Sequence, residues 1–235
     1  LIEELANHPT LLNDDKLKNL LAGLPLIPTQ DGNWSTAPNT YWRSDKLLAV
    51  LGDAKHLWVD ELRIPSTRAV TVFLEALGIR TSPIARHLVE RIRQIAETSK
   101  PTDEARRASG EAFYLLCENY DDWKDTKAFE ESVAELKGVL CFPTDGDREE
   151  WHAANRLHAP YRAEGFRSQV RVLDFKNTTR LKLELLAKVG VAIEPETRLV
   201  VEHLLHCWKQ GIDPHTFTYQ ILNERAQRGD AQIHR

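Results

Sequence analysis

The chain has 235 residues, of which 42 % are apolar and 28 % charged, with a net charge of −4. That is a globular balance, enough for one large domain or two of about 100 residues each, and it excludes long disordered stretches. No apolar run approaches the roughly 20 residues that a membrane-spanning helix needs, and the mildly acidic balance argues against a dedicated nucleic-acid-binding domain. Cys117, Cys141 and Cys207 are odd in number and widely spaced, which points away from a disulfide framework and toward a reducing cytoplasm. The opening residues LIEELANHPT show no signal-peptide pattern. The sequence starts at Leu1 and contains no methionine, so the expectation is a piece of a larger protein whose activity lies outside these residues.

In chain order, Leu11, Leu12, Leu17, Leu20 and Leu21 are spaced to share one helix face, and Leu20 and Leu21 read as core. The stretch LPLIPTQDGNW from Leu24 to Trp34 follows. Asp-Gly between short β-prone runs predicts a hairpin with a type I′ turn. Pro28 removes a ladder donor and predicts an edge strand. Tyr41-Trp42 and Leu57-Trp58-Val59 predict further strand. Ser66 or Thr67 is placed to cap a helix running to Leu77, with Gly78 as its stop. Ser82-Pro83 predicts the start of a helix with Ile84, Leu88, Ile92 and Ile95 as its buried stripe. Pro101-Thr102 opens another, with Asp103 and Glu104 favouring its N-terminus.

The same order then returns. Phe129, Val133, Leu136 and Val139 predict a helix face, and LCFPTDGDREEW from Leu140 to Trp151 repeats the apolar run, Pro-Thr, Asp-Gly and tryptophan. The charged DREE weakens the second strand of this hairpin. Val170 to Leu173 predicts strand, Asn177 or Thr178 a cap, and Gly190 a helix stop. Glu194-Pro195 opens a helix with Val201, Leu204, Leu205 and Trp208 as its buried stripe, an expectation for core positions, and Asp213-Pro214 opens the last, ending at Gly229. Pro28 and Pro143 are 115 residues apart; Gly78 and Gly190, Pro83 and Pro195, and Glu90 and Glu202 are each 112 apart. Two tandem copies of one unit are therefore expected, over 1–122 (core about 10–122) and 123–235. The predicted fold class is α+β and helix-dominated, each copy packing a small antiparallel hairpin on several helices.

LIPTQDGNW, followed by Ala37-Pro38 and Tyr41-Trp42 and then by Leu77-Gly78-Ile79 before a proline-started helix, resembles sacsin and its large bacterial relatives. Those proteins carry an Hsp90-type ATP-binding domain followed by long regions in which such a Pro-Thr, Asp-Gly, Trp segment recurs. The resemblance covers both copies and implies a chaperone-related region beyond the ATPase, serving to transmit motion, hold partners or assemble the parent. Some bacterial relatives are linked to phage defence. The family's ATP site is not carried over, because Asp31-Gly32-Asn33-Trp34 lacks the glycines that follow in a nucleotide loop.

Other constellations were weighed for chemistry. His203 and Cys207 are one helical turn apart with His206 adjacent, a spacing that suits a metal, although a buried cysteine with flanking histidines explains it as well. Asp145, Asp147, Glu149 and Glu150, with His152 near, suit a divalent cation in a nuclease or hydrolase, or a solvated hairpin tip. Arg91, Arg93, Arg106 and Arg107 crowd one helical region and suit phosphate contacts, or ion pairs with neighbouring glutamates. Trp34 and Trp151 read as core anchors. No P-loop, GxSxG, HExxH or paired CxxC occurs. The expected function is thus a non-catalytic repeat or scaffold segment with no cofactor, contacting other domains of the parent chain or a protein partner. The alternatives are a nucleic-acid-binding module of a defence or repair protein, and a metal-dependent hydrolase.

Overall fold

A computed structural model describes residues 1–229, with Arg162 and Glu164 described by backbone alone. Residues 230–235, the last of the second expected copy, lie outside the described residues. The chain forms two compact units, Leu1–Ile84 and Ala85–Arg235. The proposed copy boundary at 122/123 is a statement of sequence correspondence and falls inside the second unit.

The first unit holds α1 (Ile2–Ala6), α2 (Asp15–Gly23), the hairpin β1 (Ile27–Pro28) and β2 (Trp34–Ser35), α3 (Asp45–Leu51) and α4 (Arg68–Ala76). Its core joins Ile27, Val59, Val70, Phe73, Leu74 and Ile79. Trp58 and Tyr41 are fully buried beside it, with Trp58 Nε1 donating to the Gly52 carbonyl at 3.2 Å. Thr67 caps α4 by accepting from the Val70 N–H, and Gly78 follows the helix at φ +98°, where a side chain would be strained.

The second unit begins with two long helices, α5 (Ala85–Thr98) and α6 (Asp103–Glu118). Thr102 caps α6 through the Ala105 N–H. There follow α7 (Tyr120–Trp123), α8 (Lys127–Ala134), the hairpin β3 (Leu140–Thr144) and β4 (Asp147–Ala153), α9 (Pro160–Ala163) and α10 (Leu183–Val189). The last elements are α11 (Thr197–Gln210) and α12 (Thr216–Gln227). A helix pair such as α5–α6 or α11–α12 is called a tail below. A short helix, its hairpin and the chain from there to the start of the next tail form a head, α2 to Ile84 in the first unit and α8 to Glu196 in the second. The architecture is helix-dominated, with two small antiparallel two-stranded sheets packed on helices.

The two heads share a backbone hydrogen-bond frame. Ile27 pairs with Ser35 in one hairpin and Phe142 with His152 in the other, which makes Trp34 and Trp151 positional equivalents. Tyr41 bridges Trp58 and Arg80, while His158 bridges Val172 and Ala192. The Asp60 and Asp174 N–H groups donate to the Pro28 and Pro143 carbonyls, at 2.9 and 3.0 Å. Arg80 donates to Thr40, and Ala192 to Leu157. The likeness continues toward the N-terminus: Asn7 and Asn119 end α1 and α6, and Asp14 and Thr126 cap α2 and α8.

Several expectations are corrected. Among the described residues only glycines have positive φ, Gly32 at +88° and Gly146 at +81° in these turns, so neither hairpin has a type I′ turn. In the first, Gly32 N–H donates to Thr29 O and Thr29 N–H to Asn33 O, a turn closed by a glycine bulge. The charged strand is the longer one: β4 runs Asp147–Ala153 because Asp147 Oδ1 accepts from the Glu149 and Glu150 N–H groups and the acidic side chains face solvent. The regions around Tyr41, Trp58 and Val172 make isolated bridges and no strands. Thr178–Arg180 is a 3-10 turn, and α10 starts only at Leu183 without a side-chain cap. Helices α5 and α11 start two residues after Pro83 and Pro195. Leu20 is 60 % exposed and Trp34 54 % exposed, against the expected core positions, whereas Trp151 is buried at 7 %.

Phe113 of α6 joins the second unit's core, its ring centroid 5.7 Å from Phe142 and 5.1 Å from Phe175. Phe113→Ala is expected to destabilise the second unit by about 3–5 kcal/mol, read as a lowered denaturant midpoint.

Candidate functional site

The most elaborate polar constellation is structural in form. Helix α6 is held against the following head by Arg106, whose side chain is 7 % exposed. Its Nε donates to the Pro101 carbonyl at 2.9 Å, its Nη1 to Asp174 Oδ2 at 2.6 Å, and its Nη2 to the Thr144 and Asp147 carbonyls at 2.8 and 2.5 Å. One guanidinium fork therefore ties the helix N-terminus, both sides of the Asp-Gly turn and the turn after Leu173. Only arginine offers five donors in a planar fork able to reach all four acceptors.

The rest of this joint surrounds Arg106. Trp151 packs on Ile95, Ala96, Ala105 and Ala108 and donates its indole N–H to the Ser99 carbonyl at 2.7 Å. Helix α5 packs on α8 and β3, and Arg93 pairs with Glu135 just past α8 at 2.6 Å. Lys100 pairs with Glu149 at 2.5 Å and Arg148 with Asp103 at 3.6 Å, both at the exposed rim, where ion pairs contribute little. On the far side Arg180 reaches Glu111 and Glu118 and lies over the Tyr114 ring, 4.5 Å from its centroid.

The residues considered for nucleic-acid contact are thus used differently from one another. Arg106 is buried in the joint and Arg93 is paired across it. Arg91 donates to Gln94 Oε1 at 3.3 Å, and burial lowers its pKa. Arg107 alone of the four is exposed.

The metal candidates divide as well. His203 Nε2 lies 3.5 Å from Cys207 Sγ, both buried, and His203 packs on Phe166 with ring centroids 4.7 Å apart. Burial, and then the nearby His206, lower the His203 pKa, favouring a neutral ring. His206 is exposed. Among the described residues no group of three or more His, Cys, Asp or Glu is arranged to hold a metal ion.

Asp145, Asp147 and Glu149 of the second hairpin each have a partner. Asp147 Oδ2 lies 2.8 Å from His152 Nε2, and the Glu149 backbone N–H, then His152, hold its pKa below the usual carboxylate value. Asp145 pairs with Arg167 and Glu149 with Lys100. In the first hairpin Asp31 accepts from the Thr29 hydroxyl at 2.6 Å and from the Asn33 backbone and side chain. The Thr29 bond, followed by those from Asn33, pulls its pKa down to about 2. In the first head the Asp-Gly carboxylate itself forms the turn, and in the second that part is taken by Asp147, the residue after the glycine.

Sequence reasoning placed Arg106 among exposed arginines. Its acceptors at Thr144, Asp147 and Asp174 are 38, 41 and 68 residues away, and no local pattern announces them. Replacing Arg106 with methionine is expected to cost about 3 kcal/mol, because it strands buried carbonyls and a carboxylate. Asp174→Asn is expected to cost less, since that side chain is 30 % exposed. Chemical denaturation of the two variants checks the order. In comparison with known proteins, the chain matches no family model, no curated protein and no solved structure.

Proposed function

We propose that this chain is a non-catalytic tandem-repeat segment that serves protein–protein or interdomain contacts. In this reading it belongs to a larger sacsin-like protein whose Hsp90-type ATPase lies elsewhere. The observation that carries the reading is the matched frame of the two heads. Tyr41 and His158 each bridge two neighbours in the same sense, and equivalent N–H groups donate to equivalent carbonyls. A frame reproduced with different side chains on it is what duplication of a scaffold leaves behind.

The polar side chains support the same reading. Arg106, Asp31 and Asp147 are engaged in holding helices, turns and hairpins together. A catalytic group must instead be left able to reach a substrate. Cys117, Cys141 and Cys207 are free and buried, and burial pushes the first two thiols up to about 11 and about 12, which makes them inert at neutral pH. We include in the proposal a reducing, cytoplasmic setting. Among the described residues no helix is long and apolar enough to cross a membrane.

The purified chain with magnesium and ATP is expected to release phosphate no faster than buffer. Turnover that disappears on a substitution within the chain would refute the non-catalytic reading.

A further inference from the structure

The joint around Arg106 is a template for a second joint whose two halves lie open on this molecule. In the second unit the tail α5–α6 is covered by the following head. The tail α11–α12 is built like α5–α6, 112 or 113 residues later, and the corresponding face is bare. Val89 and Ile92 are buried, whereas their counterparts Val201 and Leu204 are half-buried. Arg93, which pairs with Glu135, corresponds to Leu205, 52 % exposed. Ala96, under Trp151, corresponds to Trp208, 78 % exposed. Lys100 corresponds to Ile212 and Arg106 to Tyr219, both more than half exposed. Leu205, Trp208, Ile212 and Tyr219 line one groove of about 480 Å³.

The first head exposes the complementary half. Trp34 stands where Trp151 stands in its hairpin, but it is exposed, with only Arg63 over its ring at 4.9 Å. Leu20 and Leu24, at the positions of Ser132 and Leu136 on or just beyond α8, are 60 % and 40 % exposed. Pro25, Leu26 and Trp34 border a groove of about 370 Å³, with Glu3 and Arg63 at its rim.

The two bare faces differ from the covered joint in a correlated way. The Arg93–Glu135 ion pair loses both members together: Leu205 replaces the arginine and Gly23 the glutamate. The Lys100–Glu149 pair is likewise lost on both sides, to Ile212 and to a hairpin too short to carry the acid. At these pair positions charge is removed from tail and head alike, and the surfaces left between them present leucine and tryptophan on each side, with Glu3, Arg63 and Asp213 at the rims. An apolar tail facing an apolar head is matched, whereas either facing a charged partner would bury an unpaired ion.

We propose that the α11–α12 tail docks the first head of a second copy of this chain, head to tail, in the manner of the joint around Arg106. This rests on the repeat reading above. In the docked pair Trp34 lies against Trp208, and its indole N–H meets the Gly211 carbonyl, the counterpart of Ser99. Leu20 and Leu24 cover Leu205. Tyr219 takes the place of Arg106 and offers its hydroxyl to Asp60, the counterpart of Asp174. Because Trp208 is larger than Ala96, the new joint is a variant of the first and not a replica. The contact joins unlike faces, so it is a heterologous contact of the kind that builds rings or chains.

The test is sedimentation equilibrium of the purified chain and of Trp34→Glu and Trp208→Glu, up to about 1 mM, the scale of effective concentration a tether would supply. The parent is expected to rise past the dimer mass with concentration. Each variant alone stays monomeric, since one face of every contact is lost. An equimolar mixture forms dimers and stops, because only the intact tail of the Trp34 variant meets the intact head of the Trp208 variant. Both changes are at exposed positions, and unchanged melting temperatures verify that folding is intact. A parent that remains monomeric across the range overturns the docking, as does a mixture of the variants that remains monomeric. Self-association by Trp34→Glu equal to the parent's also overturns it, by pointing to a tail-to-tail contact. Those failures leave the matched frame and the lack of turnover untouched, so they are separable from failure of the repeat reading.

Discussion

Each head depends on one short extended segment that pairs on both sides at once. Tyr41 takes the Leu57 carbonyl through its N–H and returns its own carbonyl to Val59, while the adjacent Thr40 carbonyl accepts from Arg80. His158 does the same between Arg171 and Leu173, with the Leu157 carbonyl accepting from Ala192. The segment is buried, so its backbone groups must be satisfied within the protein. That constraint fixes where the hairpin, the 3-10 turns and the following helix can go. It also explains why the two heads keep the frame while the side chains at the centre, tyrosine in one and histidine in the other, have diverged. Tyr41 gains a further role by accepting the Ile84 N–H on its hydroxyl. The pKa of His158 is lowered by burial, which favours a neutral ring there.

Helices then decide what surrounds each head. In the second unit the tail α5–α6 and the head share one core, with Phe113 of α6 set between Phe142 of the hairpin and Phe175. Arg106 adds direction to this apolar contact: four acceptors around one fork leave little freedom to slide or rotate. Apolar burial supplies the greater part of the stability, and the buried guanidinium specifies the register. A head packed on a tail in this way has a stability that depends on that neighbour. A head without a tail, or a tail without a head, shows apolar surface, and the molecule displays one of each.

Much of this was legible in the sequence because it is local. The 3.6-residue spacing of Leu88, Ile92 and Ile95 reveals the buried face of α5, and Thr67 and Thr102 cap helices through N–H groups three residues on. The Asp-Gly pairs mark the turns, although the choice of turn type depended on φ at the residue before glycine, which the pair alone does not set. What escaped is what crosses long sequence distance. Trp34 and Trp151 have the same neighbours in sequence, yet only Trp151 has a tail to cover it. Leu20 has the right spacing for a core, yet its side chain is exposed. The burial of Arg106 was hidden for the same reason: an arginine among arginines looks solvated until its acceptors are known.

The central claim is that the two heads are one hydrogen-bonded frame. Native-state amide exchange tests it most directly, because it reads each backbone N–H by itself. The account predicts matched protection at Tyr41 and His158, at Val59 and Leu173, and at Arg80 and Ala192, each pair exchanging only through a cooperative opening. If the amides of one head exchanged at loop rates while their counterparts in the other were protected, the shared frame would be contradicted.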